Sequence, residues 1–430
     1  MFKMLSTICA LSLVLATFSP RGFASLDTVK DIQISGNKKT KESIILQEVF
    51  FGEGDGANEE LILKSVQSIK DLGLFESVTH ETTRDQQGNL IVRFDVKEKS
   101  FNFILPKLNR NGEGDITTGI VWRSENLFGR NQQSKLTLAH RTFEDTDEEK
   151  EVQIKWRYRY PRISGGPYSL SINAVTEDTR LEETVGMNTG EFDRDHSLIN
   201  MLVGRWLRKQ GPSKGLTLSF GPTWETFEHE FISGTPGILP DITAQGIIGR
   251  LEGYYVQDHL MSRSGKHFIY ELTIVDEELG SDINYVKHYF VYRNYVPLNG
   301  LEHTNFNYQF RFATISRPIL GPPEFKAGGS TALRGFDRDE VEGNTFAILN
   351  LEWLRPLFNR ETLRGALIFD LGNAWEELDD ISLSGLRYSA GIGLRWKLKR
   401  FVRTDIRLDV AHGLSDGGET KVFLATKSTF

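Results

Sequence analysis

The chain has 430 residues, with 51 Lys and Arg against 58 Asp and Glu and a formal net charge of −7. This acidic balance argues against a nucleic-acid binder, which needs a basic face to neutralise phosphates. Beyond the N-terminus no stretch approaches the ~20 apolar residues of a membrane helix, but barrel strands alternate and leave only a weak hydropathy signal, so a β-barrel stays open.

The N-terminus carries Lys3, an apolar run from Leu5 to Phe18, and the small-x-small triplet Gly22-Phe23-Ala24. This pattern predicts a secretory signal peptide over residues 1–24, cleaved after Ala24. Cleavage removes Lys3 and Arg21 and moves the net charge from −7 to −9. The only cysteine, Cys9, lies inside this segment. A mature chain without thiols has no disulfides, thiolate metal sites or cysteine nucleophiles.

Residues 25–99 read as a small α+β unit. Ile32 and Ile34 alternate with polar residues before Gly36-Asn37. Thr40 is placed to cap a helix over Glu42 to Leu46. After the glycine-rich break at Gly52 to Gly56, Asn58 opens a second helix, with Leu61, Leu63, Val66, Ile69 and Leu72 at helical spacing. Gly73 ends it, and two strands follow, Phe75 to Thr82 and Leu90 to Val96, joined by a turn at Gln86 to Asn89. The run Ile34-Ser35-Gly36-Asn37, Thr40, and the run Leu72-Gly73-Leu74-Phe75-Glu76-Ser77-Val78 make this unit similar to a POTRA (polypeptide-transport-associated) domain. That resemblance implies an exposed strand edge that binds extended peptides or partner subunits.

From residue 100 to 430 helical periodicity gives way to period two. Val152, Ile154, Trp156, Tyr158 and Tyr160 alternate with Gln153, Lys155, Arg157 and Arg159; Phe306, Tyr308, Phe310 and Phe312 alternate with Asn307, Gln309 and Arg311. Tyr388 to Trp396 and Thr404 to Val410 repeat the pattern, with one apolar face and one charged face. Long alternating strands with aromatic ends suit a transmembrane barrel, the only sheet that leaves no backbone group unpaired in lipid. About sixteen antiparallel strands are expected. The even-to-odd connections, such as Asn126 to Arg130 and Pro297 to Gly300, are short. The odd-to-even ones, such as Glu144 to Glu149 and Glu376 to Asp380, are mostly longer and acidic, which is the bacterial asymmetry. The longest irregular segment, roughly Ser316 to Gly343, carries Leu333-Arg334-Gly335-Phe336. Compact folds seldom keep so long a loop without a use for it.

Several motifs agree in order. Ser100-Phe101-Asn102-Phe103 opens the barrel and Glu125 to Arg130 closes its second strand. Asn350-Leu351-Glu352-Trp353 and Ile368-Phe369-Asp370-Leu371-Gly372 lie on its twelfth and thirteenth strands. With the POTRA-like unit and the Leu333 to Phe336 loop they make the chain resemble the BamA/TamA-like assembly-factor superfamily of outer-membrane proteins, which also includes two-partner secretion transporters. Ile368 departs from the pattern, which usually has an aromatic there. The fold expected is an all-β transmembrane barrel behind one α+β POTRA domain.

Strand parity puts Ala347, Leu349, Leu351 and Trp353 on the lipid face, and Leu367, Phe369 and Leu371 likewise. Asn350, Glu352 and Asp370 then face the lumen. The resemblance implies that the long loop folds into the lumen and that its arginine binds such carboxylates, so Arg334 is expected to pair with Glu352 and Asp370. It also implies a seam between the first and last strands, at Phe101, Phe103 and the terminal aromatic Phe430, that opens laterally to a client strand.

No Gly-x-Ser-x-Gly elbow, His-Glu-x-x-His pair or phosphate loop is present. Ser264-Gly265-Lys266 lacks the upstream glycine and is expected to be a tight turn. The nine histidines are dispersed without metal spacing. No enzyme activity, cofactor or metal is expected. The resemblance implies an outer-membrane protein, with its POTRA domain in the periplasm, that assists insertion, assembly or translocation of polypeptides. Its partners would be unfolded outer-membrane or secreted clients, periplasmic or lipoprotein subunits reached through the POTRA domain, and outer-membrane lipids. The alternatives are a two-partner-secretion-like transporter, whose usual two POTRA domains and plug helix are not seen here, and a pore or anchor without insertase activity.

Overall fold

A computed structural model describes residues 26–110, 116–142, 150–185, 188–211, 214–234, 239–259, 261–319, 324–337, 340–358, 360–401 and 405–425. The signal-peptide segment 1–24 with Cys9, the acidic run Glu144 to Glu149, and Phe430 lie outside the described residues.

The N-terminal unit comprises β1 (Asp27–Ser35), α1 (Glu42–Leu46), β2 (Gly56–Ala57), α2 (Glu59–Asp71), β3 (Phe75–Arg84) and β4 (Leu90–Glu98). Its sheet has the order β2-β1-β4-β3, so β3 is an edge strand. Asn58 caps α2 by accepting from Leu61 N at 3.0 Å. The face that α2 buries is Ile62, Val66 and Ile69; Leu63 is 52 % exposed, one position off the expected stripe. These residues pack with Val29, Phe75, Val92 and Phe94 into the domain's core. Thr40 does not cap α1, whose N-cap is Lys41 with no side-chain bond. The Glu98 carboxylate accepts from Thr40 N at 2.7 Å, and the Thr40 hydroxyl accepts from Asn126 Nδ2 at 2.9 Å. Thr40 is therefore committed to joining the two units.

The next eight strands are β5 (Asn102–Arg110), β6 (Ile116–Leu127), β7 (Gln132–Thr142), β8 (Lys150–Tyr160), β9 (Tyr168–Val185), β10 (Asn188–Gly211), β11 (Lys214–Gly234) and β12 (Ile242–Asp258). After them come β13 (Arg263–Val275), β14 (Tyr285–Pro297) and β15 (Asn305–Ile315), then a short hairpin of β16 (Phe325–Lys326) and β17 (Glu342–Gly343) within the long loop. The chain continues through β18 (Thr345–Leu357), β19 (Arg360–Trp375), β20 (Arg387–Lys397), β21 (Asp405–Gly413) and β22 (Thr420–Ala425). Without the small hairpin these form a closed antiparallel barrel of sixteen strands, with β22 next to β5. The described seam pairs Leu424 with Arg110.

The alternation places side chains as parity requires. Ile154, Trp156, Leu367 and Trp396 are exposed on the outer face, whereas Asn350, Glu352, Asp370 and Asp409 are buried in the lumen. β9, β10 and β11 run to 18, 24 and 21 residues, well past the ~9–11 needed to cross a bilayer. Past the exposed apolar row Ile199, Met201 and Val203, the outer ladder of β10 and β11 pairs acid with acid, Asp193 opposite Glu230 and Asp195 opposite Glu228. Strand pairing continues there although the pattern that marks a membrane strand has stopped. Ser264-Gly265-Lys266 is not a tight turn; it begins β13, with Gly265 at φ +103° opposite Val256.

The POTRA-like domain is docked on the barrel's short turns. Lys41 N donates to Gly129 O at 2.9 Å, Ser100 N to Arg400 O at 3.1 Å, and Gln67 Nε2 to Asp258 O at 3.2 Å. Asp71 accepts from Asp258 N at 2.8 Å and is ion-paired with Lys214. Close by, Glu48 is buried and accepts from Ser68; burial pushes its carboxyl up to about 8. These contacts mark one end of the barrel, and the long loop enters from the other.

Candidate functional site: the lumen loop and its charge network

The loop between β15 and β18 folds into the barrel. Its backbone carbonyls are taken one by one by the wall. Arg407 Nη2 donates to Ser330 O at 2.8 Å, Arg311 Nη2 to Thr331 O at 2.5 Å, and Asn350 Nδ2 to Ala332 O at 2.8 Å. Leu333 and Phe336 are fully buried and pack with Ala313, Phe346, Ile348 and Ala374. Gly335 has φ +93°, and a Cβ there would lie 2.4 Å from Gly413 N, so only glycine fits between loop and β21. The loop's two limbs are tied by Lys287–Glu324 at 2.8 Å, Lys421–Asp337 at 2.6 Å and Arg387–Glu340 at 2.6 Å.

Arg334 is 0 % exposed and reaches three carboxylates. Its Nε and Nη2 donate to the two oxygens of Asp370, each at 2.7 Å, in the forked geometry a guanidinium matches best. Nη1 donates to Glu352 Oε1 at 2.9 Å and to Asp409 Oδ2 at 3.3 Å. Its backbone N–H adds a bond to Asp370 Oδ2 at 3.1 Å. Arg395 then bridges Glu352, at 2.7 Å, and Asp409, and Arg407 Nε lies 3.3 Å from Asp409. Three guanidinium groups thus face three carboxylates. The barrel register makes this possible: Asn350 sits opposite Asp370, and Asn350 Nδ2 donates to Asp370 Oδ1 at 2.7 Å.

Sequence parity places Glu352 and Asp370 in the lumen, and the loop motif with its family resemblance supplies Arg334 as their partner; neither singles out Asp409, Arg395 or Arg407. The signal for them was present, since Arg395, Arg407 and Asp409 all lie on the polar phase of their strands. Parity gives a face, though, and not which of many inward charges converge. Gly372 lies opposite Ile348, where a Cβ would come 2.3 Å from Ala347 O. Phe369 is 36 % exposed on the lipid side. Ile368, the departure from the family pattern, is buried opposite Glu352 and packs with Leu354 and Ala366. Phe103 is in β5, its ring 5.2 Å from that of Phe401. Phe101 precedes β5 and packs into the POTRA-like core instead. Among the described residues no group of His, Cys, Asp and Glu is arranged to hold a metal ion.

Comparison with known proteins agrees with this architecture. An Omp85 superfamily domain matches residues 256–420, and the surface antigen variable number repeat, a POTRA domain, matches residues 28–99. BamA from Haemophilus ducreyi, lacking POTRA domains 1–3, has a similar structure at 16 % identity and a TM-score of 0.52, over 93 % of this chain and 83 % of that one. CdiB from Acinetobacter baumannii is similar at 13 % identity and a TM-score of 0.63, over 93 % and 73 %. CdiB from Escherichia coli gives 14 %, 0.65, 93 % and 75 %. At such identities the likeness is one of fold. Together with that fold, the two matches identify an Omp85 superfamily domain at residues 256–420 and a POTRA domain at residues 28–99, the arrangement of an outer-membrane barrel with its POTRA domain on the periplasmic side.

Proposed function

We propose that this protein assists the insertion, assembly or translocation of polypeptides at the bacterial outer membrane. The observation that carries the proposal is the edge strand β3. It is ten residues long, bonded only to β4 in the POTRA sheet, and mostly exposed from Thr79 to Arg84. An unpaired strand edge is a template for another extended chain. β4 leads after three residues into β5, the barrel strand at the seam. In this reading residues 1–24 are removed on export, 25–99 receive the client, and 100–430 form the barrel whose seam admits it. Arg334 holds the loop in the lumen. No covalent chemistry is required, in keeping with BamA and the two-partner secretion members, which are not enzymes.

The test is site-specific photo-crosslinking in cells from Thr79, Glu81 and Thr83. Pulse-labelled outer-membrane or secreted polypeptides should appear as transient adducts. Adducts confined to stable resident proteins would replace client handling with an anchoring role.

A further inference from the structure

The lumen has two walls of different charge. Around Arg334 three guanidinium groups balance three carboxylates. On the other side of the loop tip, β5 to β8 present a mainly basic face to the lumen, with Arg141 paired to Glu151 nearer its end. A cavity of about 240 Å³ lies there, lined by Lys107, Arg123, Lys135, Lys155, Arg157 and Arg407, with no carboxylate among the described residues of its lining. Lys155 reaches Glu177 outside it, and Arg407 reaches Asp409. Lys107 bonds to an amide, Gln153 Oε1 at 3.4 Å, and Arg157 to Asn173 Oδ1 at 3.3 Å. Ser330 and Thr331 of the loop close the cavity. Clustered like charges in a partly dry, low-dielectric lumen raise the local potential and favour an anion.

The shape selects among anions. Lys107 is on β5 and Arg157 on β8, three strand spacings apart, or roughly 14 Å. One phosphate or carboxylate cannot reach both; a chain carrying several carboxylates can. The same strands turn Ile120, Trp122, Leu138, Ile154 and Trp156 to the lipid side, where they are exposed. The cations therefore face inward, while Leu108, 49 % exposed, and Ala425 of the last strand place one side of the cavity at the seam. Leu105 and Val121 in the same lining add aliphatic surface for the residues between carboxylates.

We propose that this basic wall binds an acidic, extended stretch of the client polypeptide on the lumen side of the seam. The proposal rests on the polypeptide-handling function above and adds a substrate feature to it, namely Asp and Glu clustered within one strand length.

The test uses the full chain purified in neutral detergent and a short fluorescein-labelled poly-glutamate, read by anisotropy. Lys107→Glu with Arg157→Glu should weaken binding at least about tenfold, while Lys107→Arg with Arg157→Lys should keep it. Heat-modifiable gel mobility reports that each barrel is folded. If the reversed pair does not fold, Lys107→Gln with Arg157→Gln takes its place, with a smaller loss expected. Equal binding to wild-type and charge-altered barrels overturns the proposal. So does displacement of the peptide by an equal concentration of inorganic phosphate, or by phosphatidylglycerol vesicles, which would make the wall a general anion or lipid site. This assay needs no client assembly. Failure here with intact seam-dependent assembly removes only the acidic-segment proposal; failure of seam dependence removes the function itself.

Discussion

Replacing Arg334 is the sharpest way to perturb the lumen. In the folded barrel three carboxylates and three guanidinium groups share one dry cluster, and Arg334, Asp370 and Asp409 are 0 % exposed. Arg334→Ala leaves two cations against three anions and strips Asp370 of its fork. Stranding a buried charge by removing one partner costs roughly 3–5 kcal/mol. Arg334→Glu makes the imbalance larger, two cations against four anions, and Glu352→Arg in the same chain restores three against three. The assay is the midpoint temperature at which the purified barrel loses its compact gel mobility, together with labelling of an Ala332→Cys probe, at a position only 5 % exposed, by an impermeant maleimide. Arg334→Ala should lower the midpoint and make Ala332→Cys reactive, because the loop tip has lost its pin. Arg334→Glu should do so more strongly, and the Arg334→Glu/Glu352→Arg pair should recover part of both. An unchanged midpoint with an unlabelled tip refutes the pinning role. Additive defects in the double variant refute the pairing.

Two further outcomes follow from the same structure. Gly335→Val forces a Cβ to within 2.4 Å of Gly413 N at φ +93°, so it should expose the Ala332→Cys probe as Arg334→Ala does while leaving all six charges in place; an unlabelled probe would show that the loop can reseat around a side chain. Glu48 gives a pH dependence. Its folded carboxyl is pushed up to about 8 from the ordinary 4.5, because burial opposes its charge and Asp71 repels it, by more than Ser68, Lys214 and Arg162 offset. A raised folded value means that the folded state keeps a proton the unfolded chain loses near 4.5, so docking is most stable below that pH and weakens as pH rises toward 8. Glu48→Gln should therefore resist proteolysis between the two domains better than wild type at pH 9, by on the order of a few kcal/mol, and match it at pH 4. A constant difference across that range would mean that Glu48 does not titrate there.

Much of this architecture was legible because a barrel in lipid imposes a strict rule on sequence. Period two, aromatic ends and turn asymmetry located the sixteen strands, and parity alone turned Glu352 and Asp370 inward. What parity lacked was register across distant strands, which brings Asp409 and Arg395 to Arg334. It also understated β10 and β11, whose acidic outer ladders continue the hydrogen bonding without any lipid to dictate an apolar face. Within the POTRA domain the errors were local. Ile62 rather than Leu63 faces the core because the apolar run at 61–63 fits two helical phases. Thr40 looked like a cap because neither Glu98 nor Asn126, its partners in space, is near it in sequence.

The central claim is that the seam between β22 and β5 opens for a client strand. Leu424 and Arg110 are directly paired across it, and the chain's one native cysteine is Cys9. Leu424→Cys with Arg110→Cys places two thiols at a cross-strand distance compatible with a disulfide. Assembly of pulse-labelled outer-membrane or secreted clients is then followed in cells before and after reduction. The account predicts that the oxidised barrel stops client assembly and that reduction restores it. Undiminished assembly with the seam fully crosslinked would contradict it.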